Sequence, residues 1–477
     1  MEQNKTIDKV YAFLTVLLAF LWQRLVFLRP LGGFSLNVVV MTVLTVALFV
    51  SYLWNKGIKS WKMLLYLLLI GGVLPFVLFD GGPKLPYLLF CGIAGILITG
   101  LCCGRSQPFW GTFLFSVFVR PFAKIASIFT VIFTREKKKG RNTVLWVMLG
   151  VFVSIPFMVL LIDLLASSDK LFSVLFQQFI GHAERSVLFT TVRILFCIPL
   201  AMYLFGALYG NVQQKPALDK TWDREKLRVI PAGLAYGLLP PLILLFIAYF
   251  ISQLGYFTSA FSNILPEGFT YAEYARSGFF ELCTAGAVTL VFILLLTFFV
   301  QQRKGTRVLI VILSSLTLGL FVVAVAKMLL YIGAYQLTAQ RLHTLLILAM
   351  LAAVFLVIIL KTMLPRFPAG KVVVCALLIL FAGFMFLNTD GLVARYNVRT
   401  YLAGQYDKID VDSFATMSDD VVPYLYELTT CPDQEVADRA RELLLSRKQQ
   451  RAERMERGEV SFCLSAARAG KIYEKIR

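Results

Sequence analysis

Stretches of about twenty apolar residues recur along this chain, and they constrain its fold more than any other feature. A run of that length crosses the hydrocarbon core of a bilayer as a helix. In lipid every backbone N–H and C=O must be paired within the segment, so an open strand or an irregular loop is excluded. Eleven runs qualify, near 10–28, 35–54, 61–79, 85–103, 143–166, 187–209, 229–254, 279–300, 308–332, 342–362 and 371–388. With 58% of the 477 residues hydrophobic and 16% charged, the expected fold is all-α. It is a polytopic helical membrane protein with about 11 transmembrane helices over residues 1–388 and a small helical tail over 389–477.

The net charge of +19 would point to nucleic acid in a soluble protein. Here 22 of the 47 Lys and Arg lie in short segments between the apolar runs, at 56–62, 105–141, 215–228, 303–307 and 361–371. That pattern sets orientation in a membrane, so the expected partner is the lipid bilayer and not nucleic acid. Lys5 and Lys9 precede the first run without a small-residue cleavage pattern, which reads as an uncleaved first span. The positive-inside rule then places the N-terminus in the cytoplasm and, after eleven crossings, the tail on the extracytoplasmic side of a plasma membrane. Residues 108–133 are long enough to cross, but Arg120-Pro121 and Lys124 interrupt their middle. They are expected to form helices in the cytoplasmic interface.

Catalytic signatures are missing: there is no GxxxxGK[ST], GxGxxG, HExxH or GxSxG. His182 and His343 are the only histidines, which excludes a multi-histidine metal site within one chain; no metal and no cofactor are expected. Cys91, Cys102, Cys103, Cys197, Cys283 and Cys375 fall in apolar runs and read as small buried hydrophobes. The pairs Gly206/Gly210 and Gly233/Gly237 have the spacing that lets helices approach closely.

Ionisable groups inside spans are costly and therefore informative. Arg24, Asp163, Arg193, Glu281, Lys327 and His343 all fall in the outer thirds of their spans. They read either as interface anchors and structural ion pairs or as the lining of an outward-facing polar cavity, with Glu281–Lys327 and Asp163–Arg193 as pairs. Pro240-Pro241 is expected to kink its span, as packing or as a gate.

In the tail, Asp390 is placed to cap a helix running to Ala403, with Gly404 ending it. Asp419-Asp420 and Pro432-Asp433 start two further helices with the pattern of a HEAT-type hairpin, which cannot bury its own face alone. Residues 447–459 read as a solvated charged segment.

The segments FTYAEYARSGFFEL (269–282), LYIGAYQLTAQRLHT (330–344) and NTDGLVARYNVRTYL (388–402) resemble signature stretches of an uncharacterised bacterial membrane-protein family, domain of unknown function 4173, and its relative 4153. LLASSDKLF (164–172) is similar to a further stretch, with Lys170 where the family pattern has proline. The resemblance covers roughly residues 140–430. It implies a polytopic bacterial plasma-membrane protein without an assigned reaction. It also picks out Tyr271, Tyr274, Arg276, Glu281, Tyr335, Thr338, Arg341, Asp390, Arg395, Tyr396 and Asn397 as shared positions. The expected role is a non-enzymatic sensor or scaffold that works through the outer face and tail, with an envelope protein as partner. A secondary transporter, and an envelope-lipid transferase or hydrolase using outer-face carboxylates, are the alternatives.

Overall fold

The computed structural model describes residues 2–27, 36–104, 109–125, 127–133, 197–213, 228, 230–261, 279–456 and 463–476. Among them the chain is helical and no strand forms. A single parallel bridge joins Ile230 and Val300. Nine described helices are long and apolar enough to cross a membrane, and each matches one of the eleven expected runs. The expected run 143–166 lies outside the described residues. Only the end of 187–209 is described, as an apolar helix at Cys197–Val212. The chain is a multi-pass helical membrane protein that divides into two compact units.

The first unit comprises Met1–Asp80, Lys84–Pro216 and Lys448–Gly470. Its helices are α1 (Glu2–Trp22), α2 (Leu36–Asn55), α3 (Leu65–Gly72), α4 (Pro75–Leu78) and α5 (Lys84–Cys103). These are followed by α6 (Phe109–Leu114), α7 (Arg120–Ala123), α8 (Ser127–Phe133) and α9 (Cys197–Val212). The 108–133 segment is thus broken into pieces, with a π-turn at Phe115–Val119 and a second break at Lys124. It packs on α9 because α9 offers no side chain at two positions. A Cβ at Gly206 would meet the Pro121 carbonyl oxygen at 2.5 Å, and one at Gly210 the Arg120 carbonyl oxygen at 2.9 Å. Arg120 Nη1 donates to Asn211 Oδ1 at 2.9 Å, which satisfies a basic group set against an apolar helix.

The second unit comprises Gly81–Pro83, Ala217–Arg447 and Lys471–Arg477. Its spans are α10 (Gly233–Phe261), α11 (Phe279–Phe299), α12 (Lys304–Tyr335), α13 (Ala339–Met363) and α14 (Ala369–Phe386). Their shared core includes Leu239, Ile293, Leu313, Phe321 and Phe355, with Phe321 and Phe355 edge to face at 5.6 Å. Helix α10 carries Pro240-Pro241 in its interior and continues past them. The Gly233/Gly237 pair departs from expectation: among the described residues no atom lies within 4 Å of either added Cβ, so it brings no described neighbour close. Cys375 departs likewise, being exposed on α14.

At 32 residues, α12 is about 48 Å long, against a hydrocarbon core of about 30 Å. One or both of its ends must therefore stand clear of the hydrocarbon, even allowing for tilt. Beyond α14 follow α15 (Thr389–Leu402), α16 (Val422–Leu428), α17 (Gln434–Glu456) and α18 (Leu464–Tyr473). Helix α16 presents Val422, Leu425 and Leu428 inward and packs on α15. Asp433 caps α17, its carboxylate accepting the Glu435 and Val436 amides at 3.1 and 3.4 Å.

Candidate functional site

Most of the described residues singled out by sequence converge where α12, α13, α14 and α15 meet. Helix α12 ends because Gln336 takes a left-handed conformation, φ +66°. Two residues on, the Thr338 hydroxyl accepts the Arg341 amide at 3.4 Å and starts α13. Leu337, in the corner between them, is held by one side chain. Asn397 of α15 accepts the Leu337 N–H at 2.8 Å and donates to its carbonyl at 2.9 Å. Asn397 is buried, so this clamp satisfies a backbone donor and acceptor that water cannot reach.

Around the clamp, Arg341 donates to the carbonyls of Tyr335 and Gln336. Its guanidinium lies 4.1 Å from the Tyr331 ring centroid, a cation–π contact. Gln336 donates to the Lys408 carbonyl at 2.7 Å, and Tyr406 to the Ile332 carbonyl at 2.9 Å. The Tyr396 hydroxyl is a neighbour of that of Tyr406. Burial and that neighbour push the Tyr406 pKa up to about 12, with Arg341 acting in the opposite sense.

A second group of contacts forms where α14 gives way to α15. The helix is capped by Asn388, not by Asp390: Asn388 adopts φ +50° and accepts the Gly391 amide at 3.3 Å. Asp390 is the second residue of the helix, in its first turn, where a carboxylate faces the positive end of the helix. It accepts the Ser418 amide at 3.0 Å. Asp420 accepts the Gly81 amide at 3.0 Å and the Ser418 hydroxyl at 3.1 Å. A Cβ at Gly81 would come within 2.7 Å of the Asp390 carboxylate, so a larger residue there would have to displace that side chain. On the adjoining face of α13, His343 packs on Phe384, ring centroids 5.3 Å apart, within electrostatic reach of Asp390.

The 412–419 loop is held by Arg447, which departs from the solvated reading of 447–459. Its guanidinium is buried and donates to the carbonyls of Phe414, Ala415 and Met417 at 2.9, 3.3 and 2.9 Å. It also reaches Asp419 at 3.4 Å.

The structure therefore brings together Tyr335, Thr338, Arg341, Tyr396 and Asn397 in one group and His343 with Asp390 in another. Lys327 is 5% exposed and sits in the core face of α12. Arg395 is exposed on α15. Glu281 lies in the first turn of α11. Arg24 belongs to the first unit, exposed at the end of the first span. Asp163, Arg193, Tyr271, Tyr274 and Arg276 lie outside the described residues. No three His, Cys, Asp or Glu side chains group together among the described residues.

Sequence reasoning missed Gly81, Gln336, Tyr406, Ser418 and Asp420, whose partners are distant in the chain and leave no local pattern. It also missed Asp8 in the first unit, which is buried and paired with Lys56 at 2.7 Å and with the Tyr52 hydroxyl at 2.8 Å. An acid two residues before a long apolar run was the available signal.

The model of one protein family, described as domain of unknown function (DUF4153), matches residues 67–428. The match starts well before the stretches that carry the sequence resemblance. It closes at Leu428, the last residue of α16, so it includes the clamp, α15 and the Asp390–Ser418–Asp420 group. No curated protein and no solved structure matches the chain.

Proposed function

The chain belongs to the family of domain of unknown function 4153, and from that premise we propose a non-enzymatic sensor or scaffold. It works through the platform where α15 lies over the ends of α12–α14, with α16 packed on it. The observation that supports this reading is how the polar side chains there are used. Asn397, Arg341, Tyr406, Asp390 and Asp420 each bond backbone groups of a neighbouring segment. Groups committed in this way build a rigid surface and are poorly placed to shuttle protons. In this reading the platform and tail face the outside of a plasma membrane and meet an envelope protein.

Two measurements test the reading. Cys463 is only 3% exposed, so sidedness is read from a Met455→Cys variant carrying Cys431→Ser, labelled with a membrane-impermeant maleimide. Labelling in intact cells is expected, and labelling only after permeabilisation overturns the outward tail. Function is read by complementation of a deletion strain at matched protein levels. Asn397→Ala, which loosens the platform, is expected to lose function while Glu281→Gln and Lys327→Met retain it. The reverse pattern would favour transport or catalysis.

A further inference from the structure

Helix α15 begins two residues after α14 ends. The His343–Phe384 contact sets the start of α13 level with the end of α14. Nine residues beyond Asn388, Asn397 reaches Leu337 in the corner between α12 and α13. The helix is therefore tied at its start to one span end and near its middle to the corner between two others. It runs across the ends of the spans, and so along the plane of the bilayer, for about 21 Å.

Its two sides differ. Val393, Ala394, Asn397 and Val398 are buried. Arg395, Tyr396, Arg399 and Leu402 are exposed, and their spacing of one, four and seven residues places them on one face. Tyr396 and Leu402 are 38% and 45% exposed. This face holds no acid, and neither arginine side chain has a hydrogen-bond or ion-pair partner among the described residues. Phe386 and Leu387, at the end of α14 just before the helix begins, are exposed as well.

We propose that the Arg395–Tyr396–Arg399–Leu402 face of α15 is a binding surface for anionic phospholipid headgroups. Leu402 and the Tyr396 ring enter the acyl boundary, and the two guanidinium groups hold lipid phosphate. Three features select lipid as the occupant. The helix lies at the level where the spans leave the hydrocarbon, and it exposes apolar side chains at that level, as the end of α14 does. The alternation of arginine with aromatic and aliphatic side chains suits the interface of an anionic leaflet. Arginine also meets phosphate with a bidentate fork. The inference holds whichever side of the membrane the helix occupies.

The test uses the full chain in phosphatidylethanolamine vesicles, with or without phosphatidylglycerol. A photoreactive p-benzoylphenylalanine replaces Tyr396 or, as the control, Tyr426 on α16, which is 39% exposed. With two arginines at about 1 kcal/mol each near an anionic surface, phosphatidylglycerol adducts at position 396 should exceed those at 426 about thirtyfold. They should fall to the control level in an Arg395→Gln/Arg399→Gln variant that elutes as the unsubstituted protein does. Equal adducts at the two positions overturn the proposal. So do adducts indifferent to phosphatidylglycerol or to the double substitution, and so does capture of a protein in place of lipid when the probe is used in cells.

Discussion

Tyr406 shows how one side chain makes the platform sensitive to conditions. Its hydroxyl donates to the Ile332 carbonyl, a bond that only the neutral phenol can make. Burial and the Tyr396 hydroxyl hold its pKa at about 12, against about 10 for a free tyrosine. A raised pKa means that folding favours the protonated form. The contribution of this group is therefore fully present below about pH 10 and is lost as pH climbs toward 12. The alkaline limb of a thermal-unfolding series in detergent should steepen across that window. In Tyr406→Phe it should flatten, at the cost of a lower melting temperature at neutral pH, because the Ile332 carbonyl then lacks its partner. An unchanged alkaline limb would count against the assignment.

Among the elements, the two glycine pairs separate what a motif permits from what a fold uses. Both have the spacing that allows close helix approach. At Gly206 and Gly210 the neighbour is backbone, the carbonyl oxygens of Pro121 and Arg120, which cannot swing aside as a side chain can. Gly206→Val should cost about 3 kcal/mol, the upper end for overpacking, and should lower the yield of monodisperse protein. Gly233→Ala and Gly237→Ala meet no atom of the described residues within 4 Å and should instead raise helix stability by up to about 1 kcal/mol. Size-exclusion profiles and melting temperatures of the three variants check the contrast. Helix α15 illustrates termination on the same scale. Gly404, at φ +72°, closes it with the Gln405 amide on the Thr400 carbonyl and its own amide on that of Tyr401. This is the paired C-terminal arrangement that favours glycine, and the sequence placed it correctly.

For the molecule as a whole, membrane insertion and tail docking draw on different forces. Each span is inserted by its own apolar length, whereas the platform depends on contacts made after the spans are in place. Truncation after Leu402 removes Tyr406, Ser418, Asp420 and Arg447 together, leaving the Ile332 carbonyl and the Gly81 amide without their partners. The truncated chain should keep the same pattern of protease-protected membrane fragments and yet melt at a lower temperature. Loss of the protected fragments would mean that the tail takes part in insertion itself.

By itself the sequence determined that this is an all-helical, multi-pass membrane protein, and it located nine of the described spans. Twenty apolar residues have one stable arrangement in lipid, and their length is local information. It also marked the stretches 330–344 and 388–402 that the fold brings together at the Asn397 clamp. What it could not contain was the pairing. That Asn388 and not Asp390 caps α15 turns on one residue's left-handed backbone. That Arg447 is buried beneath a loop, that Asp420 holds Gly81, and that Asp8 pairs with Lys56 across two helices are matters of which segments lie side by side. Only the tertiary structure decides these. A buried polar group must find a partner, but residue type and spacing do not say which one packing will bring within 3 Å.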